Sequence, residues 1–283
     1  MIKHRSFIIS ASFPSSKSTE DGMRFALEQI SPLGIDTVEY YSELSPDKVA
    51  SLLQGKRSIF LSGARQKAEG LNPCSLDAGV REKAISALAE CFKYAKQAGA
   101  SGIMFASGTR PDSEKDDEQC LDLLFDSITR LHQVEPELPI LLEPGDRDVE
   151  FKHLLGHTDM SVKFAQRCQD SGLPLKLVFD ISHIAELGED LMDSWKMIKP
   201  YCDHVHFANC VLDKSSPLYG DKHPFFNLAN GVFSHKEGVD FLSYLKNEKE
   251  ELMVGLEIIC PLDEDEKAHF DRLVKEHSWF FEK

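Results

Sequence analysis

The chain has 283 residues, of which 42% are hydrophobic and 28% charged, as in ordinary globular proteins. Its formal net charge of −15 disfavours nucleic acid as a partner, because binding to phosphates needs a face rich in Lys and Arg. No apolar run reaches the roughly 18 residues of a membrane span, so we expect no membrane partner. Seven cysteines without C-x-x-C spacing indicate reduced thiols and a cytoplasmic location.

Apolar periodicity predicts an alternation of strands and helices along the whole chain. The predicted strands are residues 6–13, 35–41, 58–62, 102–106, 139–143, 175–180, 203–207 and 253–257. The predicted helices are residues 18–30, 47–53, 80–98, 118–134, 158–171, 184–198, 236–246 and 264–281. We expect residues 63–79 to form a polar loop.

Eight strand–helix units without a break in composition predict one domain of the α/β class over residues 1–283. Such units form parallel sheets with right-handed crossovers, and this number at this length favours a closed (β/α)8 TIM barrel. A doubly wound open sheet is the alternative fold. Nothing in the sequence supports a dinucleotide or nucleotide site, because both the G-x-G-x-x-G and the G-x-x-x-x-G-K-[ST] patterns are absent.

Four successive predicted strands end on residues that can bind a metal ion, namely Glu143, Asp180, His206 and Glu257. In a barrel the carboxyl ends of all strands meet on one face. Three carboxylates and one imidazole suit Mn²⁺, Mg²⁺ or Co²⁺, and Zn²⁺ or Fe²⁺ also fit. Each residue alone has an ordinary structural explanation as a helix cap, a salt-bridge partner or a core histidine. The set of four predicts one divalent metal ion.

The motifs at these strand ends resemble those of the xylose isomerase-like TIM barrel superfamily. They are E-P at Glu143, D-x-x-H at Asp180, H-V-H at His204–His206 and G-L-E at Gly255–Glu257. The superfamily contains sugar isomerases and epimerases, inosose dehydratases, sugar-acid decarboxylases and the AP endonucleases of family 2. The resemblance follows the order of the elements through the whole chain.

The resemblance implies a divalent-metal-dependent isomerase or epimerase of a sugar or sugar-acid derivative, working through an enediolate intermediate. By that resemblance Glu143 and Glu257 transfer the proton as the catalytic pair, and Asp180 and His206 only bind the metal. A metal-dependent lyase, either a decarboxylase or an inosose-type dehydratase, uses the same chemistry and is the alternative. An AP endonuclease is less favoured, because two of its nine metal-binding positions, histidines at the ends of the third and fourth strands, are absent here.

Further residues near these strand ends are candidates for substrate binding. His183 lies three residues beyond Asp180 and is expected to bind a substrate oxygen or to orient a metal ligand. Arg147 and Lys152 follow the strand that ends on Glu143, and together they could hold a carboxylate or phosphate. A solvated loop is the alternative for that basic pair.

The segment Tyr219–Pro224 resembles the loop that covers the substrate in this superfamily, which makes Asp221 and His223 substrate-binding candidates. Glu39, at the end of the second predicted strand, is either a pocket residue or a salt-bridge partner at the barrel mouth. The expected partner is a small sugar or sugar acid, without nucleic acid, and a homo-oligomer is compatible with this class of barrel.

Overall fold

In the computed structural model, which describes residues 4–248 and 251–281, the eight parallel strands close into a barrel in chain order. This confirms the TIM-barrel prediction, and the ring closes where β1 pairs with β8, with Ser6 beside Gly255. The strands are β1 (His4–Ile8), β2 (Thr37–Tyr40), β3 (Arg57–Leu61), β4 (Gly102–Ala106), β5 (Ile140–Glu143), β6 (Leu175–Asp180), β7 (Cys202–Phe207) and β8 (Met253–Leu256).

Helices follow the strands and form the outer layer of the barrel. They are α1 (Ile9–Ser12), α2 (Glu20–Ile30), α3 (Pro46–Leu53), α4 (Gly63–Glu69), α5 (Ala78–Gln97), α6 (Asp117–Val134), α7 (Thr158–Asp170), α8 (Ile181–Glu186), α9 (Leu191–Ile198), α10 (His235–Glu248) and α11 (Glu266–Phe281). No helix within the described ranges combines the length and the apolar character that a membrane crossing would need.

The first strand ends earlier than predicted. Residues Ile9–Ser12 form the short helix α1, and the pairing of β1 stops at Ile8 on the β2 side and at Phe7 on the β8 side. The Ser12 hydroxyl then donates a hydrogen bond of 2.9 Å to the backbone oxygen of Ile258. The chain therefore bends over the barrel mouth at this point.

Two helix predictions are also corrected. The predicted loop 63–79 contains helix α4, because the side-chain amide of Gln66 hydrogen-bonds to both backbone groups of Ala106, at 3.1 and 2.9 Å. The predicted helix 184–198 is interrupted: Gly188 has a φ of +69°, and the Asp190 carboxylate accepts hydrogen bonds from two backbone amides at the start of α9.

Alternation along the strands sets the height of the candidate site in the barrel. A small apolar cluster of Ile59, Met104, Val178 and Met253 is buried together, with Leu141 packed against it. Side chains two residues apart on a strand point to the same face. The residues two positions beyond Leu141 and Val178 are Glu143 and Asp180, so these carboxylates lie above the apolar cluster and toward the barrel mouth.

Candidate active site

The structure brings the four predicted metal ligands together at the carboxyl ends of β5 to β8. One ligand atom each from Glu143, Asp180, His206 and Glu257 can be chosen so that all lie within 4.8 Å of one another. Asp180 and His206 are buried, and the side chains of Glu143 and Glu257 keep 23% and 17% of their surface exposed. Two buried and two partly accessible ligands are therefore arranged around one point.

The Asp180 carboxylate fits a cation because only one of its oxygens is satisfied. Its Oδ1 caps helix α8, accepting hydrogen bonds from the backbone amide and the hydroxyl of Ser182 at 2.6 and 2.5 Å. Its Oδ2 is buried and has no hydrogen-bond partner among the described residues. A buried carboxylate oxygen without a partner is costly, so a divalent ion bound there would satisfy it.

The imidazole of His206 lies between carboxylates on both sides. Its Nδ1 is 3.0 Å from Glu143 Oε1 and 3.0 Å from Glu257 Oε2, and its Nε2 is 3.0 Å from Glu39 Oε2. Burial opposes protonation, but Glu39 and Glu257 hold the pKa of His206 well above its ordinary value. Burial likewise opposes ionisation of Glu257, but the histidines beside it hold the pKa of this carboxyl well below its ordinary value.

Glu39 contacts His206 from inside the barrel and does not line the cavity. Its side chain is fully buried, and its Oε1 lies 2.9 Å from Nε2 of His204. Of the two expectations for this residue, the salt-bridge one is closer, but the contact lies inside the barrel instead of at its mouth.

The three substrate-binding candidates His183, Asp221 and His223 all line the cavity above the centre. His223 forms an ion pair with Asp221 through Nε2, and its Nδ1 is 3.5 Å from Glu257 Oε1. His183 Nδ1 is 3.0 Å from the buried carboxylate of Glu186. Burial opposes protonation of His183, but Glu186 and neighbouring acids raise its pKa to about 10.

Atoms of Asp180, His183 and His223 also lie within 4.8 Å of one another. This second group shares Asp180 with the first, so the number of metal ions per chain is a quantity to be measured.

The structure does not bring Arg147 and Lys152 to the cavity. The Arg147 guanidinium is buried, 2.8 Å from Asp117 Oδ2 and 2.6 Å from the backbone oxygen of Leu154. It holds the loop after β5 against helix α6, and Gly156 leaves room for its stem. Lys152 is exposed to solvent. Arg147 therefore stabilises this loop, and Lys152 lies on its surface.

Other lysines line the cavity, which has a volume of about 690 Å³. Lys67 Nζ is 4.2 Å from the ring centroid of Phe151 and 3.6 Å from Glu150 Oε1. Lys222 Nζ is 2.7 Å from the same carboxylate, so Glu150 is shared by two ammonium groups.

Lys17 is the second lysine in the cavity wall. It is half-buried, and its backbone oxygen accepts hydrogen bonds from the Glu43 amide and the Ser42 hydroxyl. Burial lowers the pKa of Lys17 and the nearby Glu43 opposes this, but among the described residues no carboxylate lies within ion-pair distance of its ammonium group. Sequence reasoning missed Lys17 and Lys67 because both follow strands that carry no metal-binding residue.

The fold and the strand-end ligands define a (β/α)8 barrel protein with a candidate metal centre at the barrel mouth. The sequence profile of the family described as xylose isomerase-like TIM barrel matches residues 27–276. The chain belongs to this family. No curated protein sequence matches the chain significantly.

Solved structures show the same fold at low sequence identity. The 3-keto-D-glucoside 4-epimerase YcjR from E. coli has a TM-score of 0.68 and 16% identity, and the match covers 98% of this chain and 100% of YcjR. The IOLI protein, solved with a zinc atom, has a TM-score of 0.72 and 15% identity over 99% of this chain and 100% of that one. An AP endonuclease of family 2 from Brucella melitensis has a TM-score of 0.67 and 17% identity over 93% of this chain and 95% of that one.

Proposed function

We propose that this protein is a divalent-metal-dependent isomerase or epimerase of a sugar or sugar-acid derivative. The observation that carries the proposal is the group of four donor atoms within 4.8 Å of one another. Three of its members, Glu143, His206 and Glu257, line a cavity large enough for a sugar. The epimerase and the zinc-containing protein among the structural relatives support it.

An ion bound between these donors would act as a Lewis acid toward neighbouring carbonyl and hydroxyl oxygens of the substrate. The chain's own carboxylates would move the proton. Glu143 and Glu257 both approach Nδ1 of His206 at 3.0 Å, and both are partly exposed to the cavity. Each is therefore fixed in place and can still reach a C–H beside the carbonyl, as a general acid–base pair must.

The cavity wall favours a substrate that carries a negative charge. Lys17 lines the cavity without a carboxylate partner among the described residues, and Lys67 shares Glu150 with Lys222. Glu43 is near Lys17 but forms no direct ion pair with it among the described residues. A half-buried ammonium in that position is poorly solvated, so a substrate carboxylate or phosphate beside Lys17 would be stabilised there. His183, held by Glu186, would bind a hydroxyl or carbonyl oxygen.

The test is carbon–hydrogen exchange in D₂O. The metal-loaded protein is incubated with a panel of ketoses, aldoses and sugar acids, and NMR follows deuterium incorporation next to the carbonyl. We expect exchange with at least one compound, and a loss of about 10²-fold or more in Glu143→Gln and Glu257→Gln. Glu90→Gln, on the exposed face of α5, is the control that should keep full activity.

The products separate the related reactions. A new epimer or aldose supports the proposal, whereas release of CO₂ or water from the same compound supports the lyase alternative. A separate titration of each variant with Co²⁺ distinguishes loss of proton transfer from loss of metal. Absence of exchange with every metal and every compound of the panel would contradict the proposed function.

A further inference from the structure

A buried carboxylate lies directly beneath the proposed metal centre. Glu39 is fully buried on β2, and its two oxygens contact two imidazoles of β7, at 2.9 Å to His204 Nε2 and 3.0 Å to His206 Nε2. The two histidines are two residues apart, so both point to the same face of their strand. One carboxylate therefore engages two ring nitrogens, one on each oxygen.

The contact between Glu39 and His206 occupies Nε2 and leaves Nδ1 facing the other predicted metal ligands. A carboxylate beside Nε2 keeps a proton there, because it can only accept hydrogen bonds. Nδ1 also lies beside carboxylates, those of Glu143 and Glu257, but an ion bound between them would take the place of the proton on Nδ1 and use its lone pair. Metal-binding histidines commonly donate their other N–H to a carboxylate in this way, which fixes both the tautomer and the ring orientation.

The surroundings hold the Glu39 carboxylate in one place. His204 occupies its second oxygen, and the Ser6 hydroxyl lies 3.4 Å from His204 Nε2. Gly255 provides the space: a Cβ atom there would lie 2.6 Å from Ser6 Oγ and 3.1 Å from Glu39 Oε1. A larger residue on β8 would therefore displace the carboxylate from the imidazole.

We propose that Glu39 is a positioning residue that keeps the proton of His206 on Nε2 and so presents Nδ1 to the divalent ion. The proposal rests on the proposed function in that it takes His206 as a metal ligand. The competing assignment is a second ion held by Glu39, His204 and His206 themselves, whose ligand atoms lie within 4.8 Å of one another. Enclosure speaks against it, because all three are buried and Glu39 and His204 do not line the cavity.

The test compares Glu39→Gln with wild type by two measurements that do not require turnover. Titration with Co²⁺, followed by visible absorption, gives the affinity, and we expect the dissociation constant to rise about 10–100-fold. In Zn²⁺-loaded protein labelled with ¹⁵N-histidine, long-range ¹H–¹⁵N correlation should show His206 protonated on Nε2 in wild type. In the variant this pattern should be lost or mixed, because a glutamine can donate as well as accept.

A matched control is available on the outside of the barrel. Glu276 is a second buried glutamate paired with a histidine, 2.5 Å from His235 Nε2 between α11 and α10. Glu276→Gln should leave the Co²⁺ affinity within about twofold, which separates the loss of any buried glutamate–histidine pair from the loss of this one. If Glu39→Gln does not fold, His204→Gln, which removes only the second anchor of the carboxylate, should weaken Co²⁺ binding by a smaller factor.

Three results would overturn the proposal. The first is a folded Glu39→Gln with unchanged Co²⁺ affinity and an unchanged His206 tautomer, and the second is an unchanged Co²⁺ affinity in His204→Gln where that variant is the one measured. The third is a wild type in which Nε2 of His206 binds the metal. An anomalous-scattering peak between Glu39 and His204 would replace it by the second-ion assignment. Failure of the proposed function looks different, because wild type would then bind Co²⁺ with the expected tautomer and turn over no compound of the panel. A wild type that binds no divalent ion would overturn both.

Discussion

Thermal stability should depend on metal concentration with a slope that counts the ions. A ligand that binds only the folded state stabilises it by RT ln(1 + [L]/Kd), so each further tenfold of free metal above Kd adds about 1.4 kcal/mol per ion. Unfolding entropy is about 2.1 cal/mol/K per residue, or about 0.6 kcal/mol/K for 283 residues. One ion therefore predicts a rise in Tm of about 2–3 °C per tenfold of metal, whatever the Kd.

The measurement is circular dichroism melting of the metal-free protein in buffered series of free Mn²⁺ and Co²⁺, with rescans to establish reversibility. Asp180→Asn should flatten the slope, because it removes the charge from the buried carboxylate whose Oδ2 lacks a partner. Asp190→Asn is the matched control: asparagine still caps α9, so the slope should remain. A flat wild-type response would refute the metal centre, and twice the slope would refute the single ion and favour a second one at Asp180, His183 and His223.

Three further substitutions test other parts of the structure. Lys17→Met should lower kcat/KM for an acidic sugar by about 10–100-fold, which is the effect of losing a hydrogen bond to a charged group. The kcat/KM for the matched neutral sugar should change by less than twofold. Equal losses for both sugars in steady-state kinetics would contradict anion recognition. Gly255→Ala should reduce the free energy of unfolding in urea by about 1–3 kcal/mol through overcrowding, whereas Gly63→Ala, whose Cβ meets nothing within 4 Å, should be nearly neutral. His277 is buried with both ring nitrogens lacking partners among the described residues, and burial lowers its pKa to about 4. Between its unfolded pKa of about 6.5 and this value, only the unfolded chain binds the proton, so the free energy of unfolding should fall by about 2 kcal/mol from pH 7 to 5. Urea titrations of His277→Leu should lack this loss.

The positions of the candidate metal ligands could be predicted because they depend on local pattern alone. A strand of apolar residues that stops on a carboxylate or imidazole puts that group at the carboxyl end, and barrel closure gathers those ends. Glu143, Asp180 and His206 lie within their predicted strands, and Glu257 follows β8 directly. Neither step needs knowledge of long-range contacts beyond the fold class.

The residues that were misplaced depend on contacts between distant segments. Arg147 looked like an anion site because its partner Asp117 lies 30 residues away on α6. Helix α4 was missed because Gln66 binds Ala106, 40 residues further along the chain. Lys17 has no nearby motif, and only the bend of the chain after β1 brings it to the cavity. A sequence pattern carries no information on which of two distant polar groups will meet.

Glu39 shows why the depth of a side chain in a barrel is harder to predict than its position at the carboxyl end of a strand. Its strand ends one residue later, at Tyr40, and it is paired with Ile8, the last residue of β1. Those features resemble Glu143 at the end of β5, yet Glu39 contacts the inner face of His206 and Glu143 the outer face. The height of a strand end depends on the stagger between neighbouring strands, and that stagger is a property of the closed barrel. The imidazole of His206 therefore lies between a fully buried carboxylate, which we propose orients it, and two partly exposed carboxylates, which we propose reach the substrate.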